Sequence, residues 1–224
     1  MVLRNFSIHH VLNKKEYRVK NIIIRLETKT DYRETENMVR EAFWDIYKPG
    51  CDEHLILHKL RNFSAFIDEL DFVACDPNEN NKIVGNIVYS EAKIINSKNQ
   101  KNTVLCLGPL GVLPSHQGQG IGSLLVNKSL HKAKSLDYKA VILFGDPQYY
   151  KRFGFENAKK YDIRTSLGEN PDAFMALEFD NNSLNGIKGK FIEDPAFQVE
   201  SEELELFEKE FPDKEKHVTD TQLE

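Results

Sequence analysis

The sequence predicts a mixed α/β fold, a central sheet with helices on its faces. Two observations lead there. Short apolar runs rich in β-branched residues alternate with segments of helical period, in the order β-α-α-β-β-β-α-β-α-β. The chain of 224 residues, 40% apolar and 29% charged, has the composition of a globular protein with a substantial core.

Val19–Leu26 reads as the first strand. Asp31 then opens a helix, with Glu34 at capping-box spacing and Tyr32, Thr35, Val39, Ala42, Phe43 and Ile46 on one face. Pro49-Gly50 ends it, and a second short helix runs from about Asp52 to Arg61. Leu70–Cys75, Ile83–Ile94 and Thr103–Leu113 read as strands, with polar turns at Asp76-Pro77-Asn78 and Asn96–Asn102. Pro109 cannot donate to a ladder, so it implies an edge or a bulge. A helix from about Gly118 to Ser135, a buried strand Ala140–Phe144, a short helix Pro147–Phe153 and a late strand Phe174–Phe179 complete the pattern.

The formal charge of −5 is uneven, for residues 186–224 hold twelve acids and five bases. What precedes them is close to neutral, which argues against a duplex nucleic acid as partner. No apolar run approaches the length of a membrane span, and Met1–Lys20 lacks the apolar stretch of a secretory signal. Cys51, Cys75 and Cys106 lie far apart without a CxxC pair, which suits a reducing cytoplasm. The expected organisation is an N-terminal extension (1–18), a main domain (19–180) and an acidic C-terminal extension (181–224). Leu204, Phe207 and Phe211 at near-helical spacing point to packing of that extension on the domain or on a second subunit. A homodimer is compatible with this reading.

The chemistry concentrates where a strand enters the turn Gln117-Gly118-Gln119-Gly120-Ile121-Gly122-Ser123 and leaves it as a helix. A helix start offers unpaired N–H groups and partial positive charge, and glycines let an anion approach that backbone. A phosphate or pyrophosphate is the natural ligand; a glycine-rich start that merely packs closely is the plain alternative. A dinucleotide fingerprint fails because Ser123 stands where its third glycine belongs, and no lysine follows as in a P-loop.

Gln117-x-x-Gly120-x-Gly122 resembles the Q/R-x-x-G-x-G/A signature of the GNAT acetyltransferases, in the expected strand-to-helix setting. Asp146-Pro147-x-Tyr149-Tyr150-x-x-Phe153-Gly154-Phe155 looks like the family's second landmark, and Leu107–Pro114 resembles a bacterial subgroup of predicted acetyltransferases. The resemblance implies a mostly antiparallel sheet flanked by helices, its strands splayed at the cofactor site, with acetyl-CoA as cosubstrate. It implies that Leu110 and Val112 present backbone groups to the pantetheine arm, and that Gln117, Gly118, Gln119, Gly120, Gly122 and Ser123 cradle the pyrophosphate. Lys128, Lys132, Lys151 and Arg152 are candidates for the ribose phosphate.

Tyr150 matches the family tyrosine that protonates the departing thiolate; packing is the alternative. Relatives often carry a glutamate on the strand before the signature, but this chain has only Cys106 there. Glu91 is the substitute of choice for the base, with Glu53, His54 or a water relay as others. Cys106 reads as a small buried hydrophobe. The acceptor, a small-molecule or peptide amine, is expected against the first helical pair, with Trp44 and Tyr47 as an aromatic wall and Glu53 and His54 beside them. His54 and His58 are four apart, but without an HExxH pattern no metal site is expected. The expected reaction is direct attack of a primary amine on acetyl-CoA in a ternary complex. A silent acyl-CoA sensor on the same fold stays open as the alternative.

Overall fold

The computed structural model describes residues 21–220 and 222. The expected N-terminal extension, the first residues of the Val19–Leu26 strand, and residues 221, 223 and 224 of the C-terminal extension lie outside them. The described elements are β1 (Ile23–Leu26), α1 (Tyr32–Phe43), α2 (Glu53–Leu60), β2 (Phe72–Asp76), β3 (Lys82–Ile95), β4 (Lys101–Val112), α3 (Ile121–Ser135), β5 (Ala140–Phe144), α4 (Pro147–Tyr150), β6 (Glu156–Asn157), β7 (Ile163–Arg164), β8 (Phe174–Glu178), β9 (Gly189–Ile192) and α5 (Ser201–Glu208).

The strands form one sheet in the order β1-β2-β3-β4-β5-β8-β6, with β9 on β3 and β7 on β9. Neighbours run antiparallel except β4–β5 and β7–β9. Period-two alternation buries both faces of its centre. On β5, Val141 and Leu143 enter the core shared with α1, α2 and α3, while Ala140 and Ile142 enter a second core closed by Leu184, Ile187 and Phe191. That is why residues 140–143 are a continuous apolar run, while Phe144 is exposed at the end of the strand.

Two local expectations change. Asp31 does begin α1, but its carboxylate does not cap it. Arg25 takes both oxygens at 2.7 and 2.8 Å, and the Thr28 N–H and hydroxyl share one of them. Glu34 likewise turns outward, accepting the Ile83 N–H at 2.8 Å. The capping box is replaced by ties from the helix start to β1 and β3. Beneath α1, Arg61 is clamped by Glu27 at 2.7 Å and Glu36 at 2.9 Å, all three side chains buried, and its guanidinium lies 4.0 Å from the Tyr32 ring centre. Removing one partner of such a buried set costs about 3–5 kcal/mol.

Residues 181–220 are more deeply woven into the fold than a surface appendage. β9 adds to the sheet through Lys93↔Ile192 and Ile95↔Lys190. α5 then lays Phe207 on Leu55, the turn after it adds Phe211, Arg40 donates to Glu208 at 2.8 Å, and the Trp44 indole donates to the Glu215 carbonyl at 2.9 Å.

Candidate active site

The sheet opens at one place. β4 and β5 pair only at Leu105↔Val141 and Cys106↔Ile142. Immediately beyond, the β3–β4 register slips between Ile87 and Tyr89, so that Gly108 and Pro109 together oppose Val88. The bulge anticipated at Pro109 is there, and it bends β4 away from β5. Further along, the Leu113 N–H donates to the Val84 carbonyl at 2.9 Å. By strand alternation the backbone groups of Val112 and Leu110 therefore face the side that β5 has left.

The signature turn closes one end of this opening. Gly120 is the N-cap of α3 at φ 89°, without a side-chain cap, so the first amides of the helix stay available. Gln117 folds back, its Nε2 donating to the Val112 carbonyl at 3.0 Å, and Gln119 donates to the Ser115 carbonyl at 3.1 Å. Just upstream, His116 is buried with Nδ1 2.8 Å from the Ser115 hydroxyl and Nε2 3.3 Å from Glu79 and 3.6 Å from Asp76. These three groups anchor the turn to the β2–β3 connection; their ligand atoms lie within 4.8 Å of one another, close enough to share a cation.

A cleft of about 1210 Å³ runs along the opening. Leu110, Val112, Gln117, Gly118, Gly120, Gly122 and Ser123 line it, as do Tyr47, Glu53 and Tyr150; Gln119 is not among the lining residues. Its volume exceeds the roughly 300–1,000 Å³ usual for one small ligand.

Tyr150 ends α4 with only 8% of its surface exposed. Its ring packs edge-on against Tyr149 and Phe155 and lies on Gly145, where a Cβ would sit 2.3 Å from the ring. Burial pushes its phenol pKa up, so the hydroxyl keeps its proton at neutral pH. Glu53, at the first turn of α2, has its carboxyl pushed up to about 7, chiefly by burial, against the hydrogen bond it accepts from the Asp52 N–H at 3.1 Å. A group poised there changes charge in the working range of a general base.

Three expected site residues stand elsewhere. Glu91 does not reach the cleft; its carboxylate meets Lys93 at 3.0 Å and the Tyr138 hydroxyl at 3.3 Å in a separate groove. Its side chain falls on the part of β3 paired with Leu105, before the strands part. Trp44 is covered by Arg40, 4.2 Å above its ring, and bonded to the tail. His54 is fully buried between Phe207 and Phe211, with Nε2 2.8 Å from Glu208. Consecutive helical residues point about 100° apart, which sends Glu53 to the cleft and His54 beneath α5. His58 faces Glu36 at 2.9 Å, so the two histidines do not converge. Of the four basic candidates, Arg152 lines the cleft, whereas Lys128 donates to the Ile24 carbonyl. Cys106 lines the cleft as a buried thiol whose pKa burial raises, a poor nucleophile.

Residues 36–155 match the model of the Acetyltransferase (GNAT) family. The chain belongs to this acetyltransferase family. It is 29% identical over 168 residues to the uncharacterized N-acetyltransferase YhbS of Escherichia coli K12, spanning 75% of this chain and 93% of that protein. The crystal structure of Escherichia coli YhbS in complex with CoA superimposes with a TM-score of 0.69 at 27% identity, covering 79% of this chain and 91% of that one. A GNAT acetyltransferase from Brucella melitensis in complex with acetyl-CoA gives a TM-score of 0.63 at 26% identity, covering 79% and 98%.

Several features of the cleft lining escape a sequence reading. Gly145 matters because the nearby Tyr150 ring lies on it, and Tyr149 through its close approach to the distant Gly122. Asn127 gives no local signal. Glu193 and Phe197 also line the cleft, brought there by the pairing of β9 with β3.

Proposed function

We propose that the protein is an acetyl-CoA-dependent N-acetyltransferase acting on a primary amine by direct attack in a ternary complex. The observation that carries this is one cleft, at the parting of β4 and β5, lined by both a proton-retaining Tyr150 and a Glu53 poised about neutrality.

The residues fit a coenzyme A thioester. The edge groups of Leu110 and the N–H of Val112, whose carbonyl is taken by Gln117, suit strand-like addition of the pantetheine arm, and the open amides at Gly120–Ser123 suit its pyrophosphate. Nothing lies within 4 Å of a Cβ built on Gly118, which leaves that backbone open to a ligand. Bound acetyl-CoA supplies an acyl group activated as a thioester. Glu53 takes the proton of the incoming ammonium, directly or through one water, leaving a neutral amine beside Tyr47 and Ile56. The amine attacks the thioester carbonyl, the C–S bond breaks as Tyr150 delivers its proton to the departing sulfur, and the proton shed by the acylated nitrogen restores the phenol. The neighbouring Tyr149 and Phe155 hold that phenol on a rigid arm.

Amine-dependent release of free thiol from acetyl-CoA tests the reaction. Gly120→Val tests the cradle: at φ 89° a β-branched residue is strained, so the turn cannot keep this backbone conformation without cost. The expected result is thiol release by the wild type and loss of the acetyl-CoA-induced rise in Tm in the variant. A folded variant that binds normally would overturn the pyrophosphate site.

A further inference from the structure

Beside the signature turn, three side chains from two distant segments each point one atom at the same place. Asp76 ends β2, Glu79 lies in the connection to β3, and His116 ends the short turn that leads from β4 into Gln117. Asp76 and His116 are more than nine-tenths buried, whereas Glu79 reaches solvent. The imidazole Nε2 stands 3.3 Å from Glu79 Oε1 and 3.6 Å from Asp76 Oδ2, and one ligand atom from each residue lies within 4.8 Å of the others. The atoms that do not converge have partners of their own. His116 Nδ1 is 2.8 Å from the Ser115 hydroxyl. Asp76 Oδ1 accepts the Asn78 N–H at 2.8 Å and its side-chain amide at 2.9 Å, while Glu79 Oε2 faces Lys82 at 3.6 Å. The bonds from Asn78 also hold the Asp76 carboxyl below the ordinary carboxylate range, so it is an anion at neutral pH.

An N–H···O bond spans about 2.7–3.2 Å, so both gaps are too long for a proton on Nε2 to bridge well. A tetrahedral ion with bonds of about 2.0–2.2 Å sets its ligand atoms about 3.3–3.6 Å apart, which matches them. With Nδ1–H donated to Ser115, Nε2 presents a lone pair to two carboxylates, an arrangement that a divalent cation neutralises. Outer bonds of the kind made by Ser115 and Asn78 are what fix metal-ligating histidines and carboxylates. We propose that Asp76, Glu79 and His116 form a zinc site that pins the signature turn to the β2–β3 connection, with water in the fourth position. The imidazole favours zinc over magnesium and calcium, which take oxygen ligands. His116 precedes Gln117 directly and itself lines the cleft, so the ion would hold the turn at its first residue. The site stands whether or not the cleft transfers acetyl groups, and its test uses no acyl donor.

The test is calorimetric titration of the full chain, stripped of metal with a chelator, with zinc chloride and separately with magnesium chloride. Wild type, Glu79→Gln and Glu79→His are compared, because Glu79 is exposed and its replacement leaves the buried pair in place. Wild type should bind Zn²⁺ and ignore Mg²⁺. Glu79→Gln should bind zinc at least about 10–100-fold less tightly, the loss that follows from removing even an outer partner. Glu79→His exchanges one zinc ligand for another and should recover most of that affinity. Hydrogen exchange of the amides in residues 114–120 should slow when zinc is added to wild type, and not in Glu79→Gln. No zinc binding by wild type, magnesium bound as tightly as zinc, or zinc bound equally by wild type and Glu79→Gln overturns the site. Equal weakening in the Gln and His variants means that Glu79 acts by charge alone and overturns its ligation. Zinc binding that depends on Glu79 without slower exchange overturns the pinning of the turn and keeps the zinc site.

Discussion

The hydroxyl of Tyr149 stands over the α-carbon of Gly122, so close that a Cβ there would lie 2.6 Å from it. This contact joins the two motifs that carry the family resemblance, the turn at the start of α3 and the tyrosine pair of α4. Gly122→Ala forces the phenol aside and should weaken acetyl-CoA binding. Tyr149→Phe deletes the clashing oxygen, and the next ring atom is at an ordinary 3.7 Å. The double variant Gly122→Ala/Tyr149→Phe should therefore recover most of the affinity that Gly122→Ala loses. Additive losses in the two single variants and the double would show that the contact does not set the turn.

Tyr150→Phe keeps the ring that packs on Gly145 and removes only the proton donor. Loss of a general acid costs about 10²–10⁴ in rate, and a thiolate is a good leaving group, so kcat should fall by the lower figure. Affinity for acetyl-CoA and Tm should stay close to wild type. An unchanged kcat, with chemistry established as rate-limiting, removes Tyr150 from the mechanism.

The strands and helices around the cleft were legible because their signals are local. Residues 140–143 are continuous and apolar because they are buried on both faces, and the run Gln117–Ser123 is a turn chemistry with few uses. Pro109 marked the bulge because a missing N–H is visible in any context. What the sequence did not disclose depends on distant partners. Asp31 and Glu34 had capping-box spacing, yet Arg25 and the Ile83 N–H offered them better bonds. Glu53 and His54 read as one polar pair, and only the helix phase and α5 separate their fates. β9 is too short to alternate, so neither it nor Glu193 announced itself.

His54 should impose an acid weakness on the fold. Its pKa falls from the ordinary 6.5 to about 4, chiefly through burial and despite Glu208 alongside. The unfolded chain then binds a proton below about 6.5 that the native chain refuses until about 4. The stability from this residue is complete above 6.5 and is lost as the pH falls towards 4. His54→Leu keeps an apolar contact with Phe207 and Phe211 and should flatten the decline in Tm between about pH 6.5 and 5, above the range where ordinary carboxylates titrate. Acetyl-CoA kinetics should not change, since the imidazole does not reach the cleft. A selective rise in acceptor KM would return His54 to the pocket.

Glu53, one residue away, should act in the opposite sense and at the active site. Its carboxyl is raised from 4.5 to about 7, so the native chain keeps a proton that the unfolded chain releases. Its contribution to stability is therefore present below 4.5 and is lost as the pH rises to about 7. The active form is the carboxylate, so kcat/KM for a saturating thioester should climb with pH to a plateau above about 7. Glu53→Gln preserves size and cannot accept the proton. It should lower kcat by about 10² or more at neutral pH, abolish the inflection, and leave acetyl-CoA affinity unchanged. It should also steepen the net rise of Tm with pH, because the opposing His54 effect is then uncompensated. A Gln variant that keeps the wild-type inflection would mean that another group, or water alone, takes the proton. A flat profile in both proteins would mean that the amine arrives already neutral.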